Sequence, residues 1–155
     1  NARVVGVEKD FNKRVISSIV GEVFPGLKEV SKNSFDTIFI GNALEEVDNP
    51  LCLIHELKEY LKSGGYIIGE FHNINTVENI CLLLENKWYY RNFQKQNYFT
   101  KNDIIKMFLD EGYVVGYFYA FPKEMTVEEQ KIFESLARIC EDSKNDYYSF
   151  RFQKK

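Results

Sequence analysis

Apolar residues along this chain fall into short blocks whose spacing alternates between a strand period and a helix period. A β-branched run over 3–7 ends on Glu8, and a second short strand is predicted over 19–23, with a short helix over 11–17 between them. Pro25-Gly26 marks a turn. The block FDTIFI over 35–40 is compact and continuous, as strands buried in a parallel sheet are. The spacing then predicts a helix over 50–62. Leu53, Ile54, Leu57, Tyr60 and Leu61 form one stripe, with Asp48 or Asn49 at the cap, Pro50 in the first turn and Gly64-Gly65 as the stop.

A strand over 66–71 follows, then a helix over 75–86 with Asn75 and Glu78 at capping-box spacing. Thr100 caps a helix over 100–111 that Gly112 ends, and 113–121 is a strand rich in aromatics. Thr126 and Glu129 have box spacing at the head of a helix over 126–141. The alternation over 147–152 suits a closing edge strand, antiparallel to the rest. Strands alternating with helices predict an α/β fold with a mainly parallel sheet and flanking helices. The sequence contains no repeat or linker, and 1–155 reads as a single domain.

Composition supports a packed core: 45% of residues are apolar and 15% aromatic. The net charge of -3 gives no electrostatic argument for nucleic acid or an anionic membrane. No apolar run approaches the roughly 20 residues that span a bilayer. Cys52, Cys81 and Cys140 are far apart and odd in number, which predicts buried thiols in a reducing cytoplasm rather than disulfides. His55 and His72 lack zinc-ligand spacing, so no metal is expected. The chain opens on Asn1-Ala2 without a methionine, which reads as a scar of tag cleavage ahead of a natural sequence starting near Arg3.

Read as a block, FDTIFIGNALEEVDNP over 35–50 resembles the central motif of class I S-adenosylmethionine-dependent methyltransferases, F-D-x-I followed by L-E-H-V-x-N/D-P. LKEYLKSGGYIIGEF over 57–71 is similar to the family's L-K-x-x-L-K-P-G-G-x-x-I-I-S-I. Trp88, Tyr98-Phe99-Thr100 and Asp110-Glu111-Gly112-Tyr113 resemble landmarks of a sub-group found with polysaccharide and cell-surface biosynthesis enzymes. VVGVE over 4–8 resembles the family's second strand.

The resemblance implies a Rossmann-like fold and S-adenosylmethionine as cofactor. It implies that Glu8 stands where an acid grips the ribose, since a carboxylate can accept both hydroxyls. Glu22 stands near the adenine position, and Asn42 and Ala43 face the methionine part. Open α/β sheets bind ligands at the carboxyl edge of their strands, where these residues lie. Glu46 replaces the family's frequent histidine, as a candidate base or as a plain acid at a helix entry. Glu70 and His72 are two apart on a strand and share a face, so Glu70 is placed to orient His72 as a base, or the two form a surface pair. Trp88 and Tyr89 are candidates to line an acceptor pocket. His55 reads as structural.

The sequence also departs from the family. Its first strand and Gly-x-Gly loop would precede Arg3, and Lys95-Gln96-Asn97 stands where the family has His-x-Arg. That strand sits centrally in the family sheet, so the 3–8 strand is expected to pair directly with the 35–40 strand, or a second copy to cover it. Two functions follow. In one, the parent protein transfers methyl to a small-molecule or sugar-linked acceptor, and this chain is a truncated piece that binds cofactor weakly. In the other, it is a non-catalytic module serving assembly beside a glycosyltransferase. A cytoplasmic location and a homodimer are expected. A receiver or flavodoxin-like fold is the outside alternative, with Glu8 and Asp10 as its faint acidic cluster.

Overall fold

The Phe35 block forms β3 (Phe35–Gly41), and a tight turn leads from it into a single helical turn, α1 (Ala43–Glu46). Next come α2 (Pro50–Tyr60), β4 (Leu61–His72), α3 (Val77–Leu84), α4 (Lys101–Asp110), β5 (Tyr113–Pro122), α5 (Val127–Leu136) and β6 (Asn145–Lys154). Ahead of these, β1 (Val5–Val7) and β2 (Glu22–Phe24) pair in parallel as a separate two-stranded sheet. This computed structural model describes residues 5–7, 22–24, 30–88 and 97–155. The expected 11–17 helix and the Pro25-Gly26 turn lie outside the described residues.

The main sheet has the order β3-β4-β6-β5. β3 and β4 are parallel, and β6 is antiparallel to both β4 and β5. Three strands therefore run one way and the last runs against them, the α/β arrangement the alternating pattern predicts and the Rossmann-like form the resemblance implies. One expectation needs correction: β6 is not an edge strand but lies between β4 and β5. Its alternate residues Tyr148, Phe150 and Phe152 are buried and pack beneath α4. The Phe108 ring stacks on Phe152 with centroids 4.1 Å apart and planes 3° off parallel. The real edge, β5, carries the exposed Val114, Val115, Tyr117 and Tyr119.

Leu44 of α1, Ile54 and Leu57 of α2, and Ile104 and Phe108 of α4 close this face of the sheet. Each buried apolar side chain of this size contributes about 1.5–3 kcal/mol relative to exposure. Asn49 caps α2 by accepting the Cys52 amide, with Pro50 at its start, as expected. The helix stops at Tyr60, short of the expected 62. Leu61 is extended, fully buried and paired with Phe35, and Lys154 Nζ donates to the carbonyls of Lys58 (2.8 Å) and Leu61 (2.6 Å). Gly64-Gly65 thus lies inside β4, with Gly64 at φ +75°.

Thr76 caps α3, accepting the Asn79 amide, so Asn75 is not the cap; its own amide donates to Asn73 Oδ1. Thr100 with Asp103 and Thr126 with Glu129 form complete capping boxes. α5 ends five residues before the expected 141, and a 3-10 turn over Glu141–Lys144 leads into β6.

The direct pairing expected between the 3–8 and 35–40 strands is overturned. β1 bonds to β2, and among the described residues β4 is the strand bonded to β3. Along β3, Asp36, Thr37 and Phe39 are exposed. Cys52 is also exposed, not buried, while Cys81 and Cys140 are partly covered. Burial pushes the Cys81 thiol above its ordinary value.

Candidate functional site

The carboxyl ends of β3 and β4 lie side by side, and the chain leaves β3 through a turn that needs left-handed backbone. Gly41 adopts φ +52°, which glycine reaches without strain. Asn42 then heads α1, its carbonyl accepting the Glu45 amide at 2.9 Å. Its side-chain Nδ2 donates to Glu46 Oε1 at 3.3 Å. α1 is one turn long, so its four residues divide cleanly. Ala43 is half-buried, Leu44 and Glu45 turn inward, and Glu46 faces outward.

Glu45 is the buried acid of the site, 1% exposed. Its Oε1 accepts the backbone amide of His72 at 2.9 Å, and its Oε2 lies 3.2 Å from His72 Nδ1. His72 is the last residue of β4, and its side chain keeps 44% of its surface open. The carboxylate expected to meet this ring was Glu70. Glu70 shares the outward face of β4, opposite Ser149, and is exposed. The acid that meets the ring comes instead from α1, 27 residues earlier in sequence. Strand periodicity registers neighbours along one element and is blind to such a cross-element pair. The signal that points to Glu45 is the motif itself: it supplies the acid of L-E-H-V, whereas Glu46 departs from it.

Asn97 ties α1 down from the other side. Its backbone amide donates to the Glu45 carbonyl at 3.1 Å, and its Nδ2 to the carbonyls of Leu44 and Val47. Phe99, two residues on, forms a parallel bridge with Asn73, just beyond β4. Trp88 packs edge-on against Tyr98 with centroids 5.4 Å apart, and is 38% exposed. This brings Trp88 toward the same edge. Tyr89 and Glu8 lie outside the described residues, and Glu22 opens β2. His55 pairs with Glu111 at 2.9 Å on the surface, away from His72. Among the described residues there is no group of three metal-ligating side chains, and no helix is long and apolar enough to cross a membrane.

The model of a methyltransferase domain matches residues 2–116, which takes in β1 to β4 and the whole α1 turn. This chain belongs to the methyltransferase domain family. Solved structures of the same fold include a SAM-dependent methyltransferase from Thermotoga maritima, at 18% identity and a TM-score of 0.67 over 98% of this chain and 73% of that one. Another, from Archaeoglobus fulgidus, gives 15% identity and a TM-score of 0.68 over 97% and 75%. One from Methanosarcina mazei gives 14% and 0.65 over 97% and 81%. No curated protein matches the sequence. Family and neighbours together imply S-adenosylmethionine as the cofactor of the methyltransferase domain. The accessible groups at the carboxyl edge fit it: one amide, Asn42, and two carboxylates, Glu46 and Glu70, suit a cationic sulfonium better than a phosphate.

Proposed function

We propose that this methyltransferase domain transfers a methyl group to a small-molecule or sugar-linked acceptor, with His72 as the base on the acceptor side. The observation that carries the reading is the adjacency of two features at one sheet edge. The Gly41–Ala43 turn ends β3, and an imidazole held by a buried carboxylate ends β4. Asn42 and Ala43 would hold the methionine end of the cofactor, and Glu22 with Glu8 its nucleoside end. When bound, the sulfonium would supply an electrophilic methyl, its leaving sulfur keeping the electron pair. The acceptor's proton passes to His72, and the Glu45 carboxylate offsets the imidazolium charge. Glu46, Glu70 and Trp88 border the acceptor on this reading; Tyr89, which the resemblance adds, lies outside the described residues.

The chain's own affinity for the cofactor is weak on this reading. Among the described residues no hydrogen bonds join β3 to β1, so the strand carrying Asn42 and the strand leading to Glu8 are not locked in one sheet. That β4 alone is bonded to β3 among the described residues supports a second reading, a non-catalytic module that packs beside a glycosyltransferase or a related surface-polysaccharide protein. A cytoplasmic location and a homodimer that covers β3 belong to the proposal. Calorimetric titration with S-adenosylhomocysteine tests it. Binding weaker than micromolar that is abolished by Asn42→Leu supports the reading. Micromolar affinity contradicts the weak site, and binding indifferent to Asn42 contradicts its placement.

A further inference from the structure

Each oxygen of one buried carboxylate reaches the same residue. Glu45 Oε1 takes the backbone amide of His72 and Oε2 meets its ring nitrogen Nδ1. An ionised carboxylate can only accept, so the Nδ1 facing it carries the hydrogen. A neutral imidazole with its proton on Nδ1 has its lone pair on Nε2. We propose that Glu45 is the positioning residue of this site: it fixes the orientation and the tautomer of His72, making Nε2 the basic nitrogen. The role rests on the reading of His72 as the acceptor-side base, and concerns how the fold prepares that base.

Four further observations support the assignment. Burying a carboxylate is costly unless its lone pairs are used, and Glu45 is covered to 1% exposure while the ring it meets stays 44% open. The fold therefore hides the orienting group and leaves the oriented one accessible. The clamp grips His72 at two points, backbone and ring, so the ring cannot turn about its side-chain torsions without breaking the second bond. Glu45 is itself immobilised, since its backbone amide donates to Asn42 and its carbonyl accepts from Asn97. The Tyr147 ring of β6 lies against the imidazole, with centroids 6.3 Å apart, and limits its tilt.

The test is nitrogen NMR of the full chain labelled at histidine. His55→Gln leaves His72 as the sole histidine, so its two ring nitrogens are read without ambiguity above neutral pH. The expected spectrum has Nδ1 protonated and Nε2 bare, in excess over the other tautomer by about tenfold or more, the effect of a charge-assisted hydrogen bond. Glu45→Gln presents an amide in place of one oxygen and should move the population toward the Nε2–H tautomer. Glu70→Gln should leave it unchanged. A parent protein with the proton on Nε2 overturns the proposal without any substitution, whatever the folding of the variants. A tautomer that responds to Glu70→Gln and not to Glu45→Gln overturns it too. These readouts require no cofactor. A chain that fails to bind S-adenosylhomocysteine but keeps the Nδ1–H tautomer would sink the methyl-transfer reading while leaving the positioning role intact.

Discussion

Asn97 holds Val47 across 50 positions of sequence, its Nδ2 donating to the Val47 carbonyl at 2.6 Å. The same Nδ2 reaches the Leu44 carbonyl at 3.2 Å, and the Asn97 backbone amide reaches Glu45. α1 is a single turn whose terminal carbonyls have no helix to continue into, and one amide side chain satisfies two of them. Asn97→Ala leaves those carbonyls unpaired and should cost about 1–3 kcal/mol. Asn97→Asp should cost more, because it sets a carboxylate against two carbonyl oxygens. Denaturant unfolding of the two variants checks the order.

Lys123 links two helices to the end of β5. Its Nζ lies 2.6 Å from Glu78 Oε2 of α3 and 2.9 Å from Glu129 Oε1 of α5. Hydrogen bonding to Lys123, with help from the Thr126 amide, holds the Glu129 carboxyl below its ordinary value. Desolvation pulls the Lys123 ammonium down, but its hydrogen bonds to Glu129 and Glu78 outweigh that and leave it raised. The signs follow from linkage. The Glu129 contribution is present above the ordinary carboxylate range and is lost as pH falls through its lowered folded value. The Lys123 contribution is present below the ordinary lysine value and is lost as pH rises through its raised folded value. Lys123→Met should therefore destabilise by roughly 1–2 kcal/mol near neutrality. In thermal melts across pH, the gap between parent and variant should close at both extremes.

Gly69 sits in β4 between its two sheet neighbours, β3 and β6. A Cβ there would lie 2.6 Å from Phe150 Cζ and 2.8 Å from Ile40 Cγ1, with the Gly41 carbonyl at 3.1 Å. Gly69→Ala should cost about 1–3 kcal/mol by overpacking. Because Gly41 is one of the atoms pressed, the change should also disturb the turn at Asn42. Amide shifts of residues 41–45 in the variant report that second effect separately from the loss of stability.

How far the sequence carries this fold depends on whether a feature is local. The caps Thr100 and Thr126, the Gly112 stop and the apolar block of β3 are legible because each rests on residues a few positions apart. The end of α2 is not, since Leu61 becomes strand by pairing with Phe35, and the carbonyls at the helix end are taken from afar: Lys58 by Lys154, Glu59 and Tyr60 by the Asn33 and Ser34 amides. The interior position of β6 is hidden for the same reason: its alternation matches an edge strand, and only the packing of Phe150 and Phe152 under α4 decides otherwise. At the carboxyl edge, the strand-end positions of His72 and Asn42 are legible. Glu45 is marked only by its place in the L-E-H-V-like motif; its contact with His72, 27 residues on, is invisible to periodicity.

The central claim is that the carboxyl ends of β3 and β4 form the cofactor and acceptor site. It is tested most directly by following backbone amide signals of the nitrogen-labelled chain during titration with S-adenosylhomocysteine, a measurement that registers weak binding. The account predicts saturable shifts centred on Gly41, Asn42, Ala43 and Glu45, with a smaller response at His72. Shifts confined to β5 and α5, or none as the ligand is raised to its solubility limit, would contradict it.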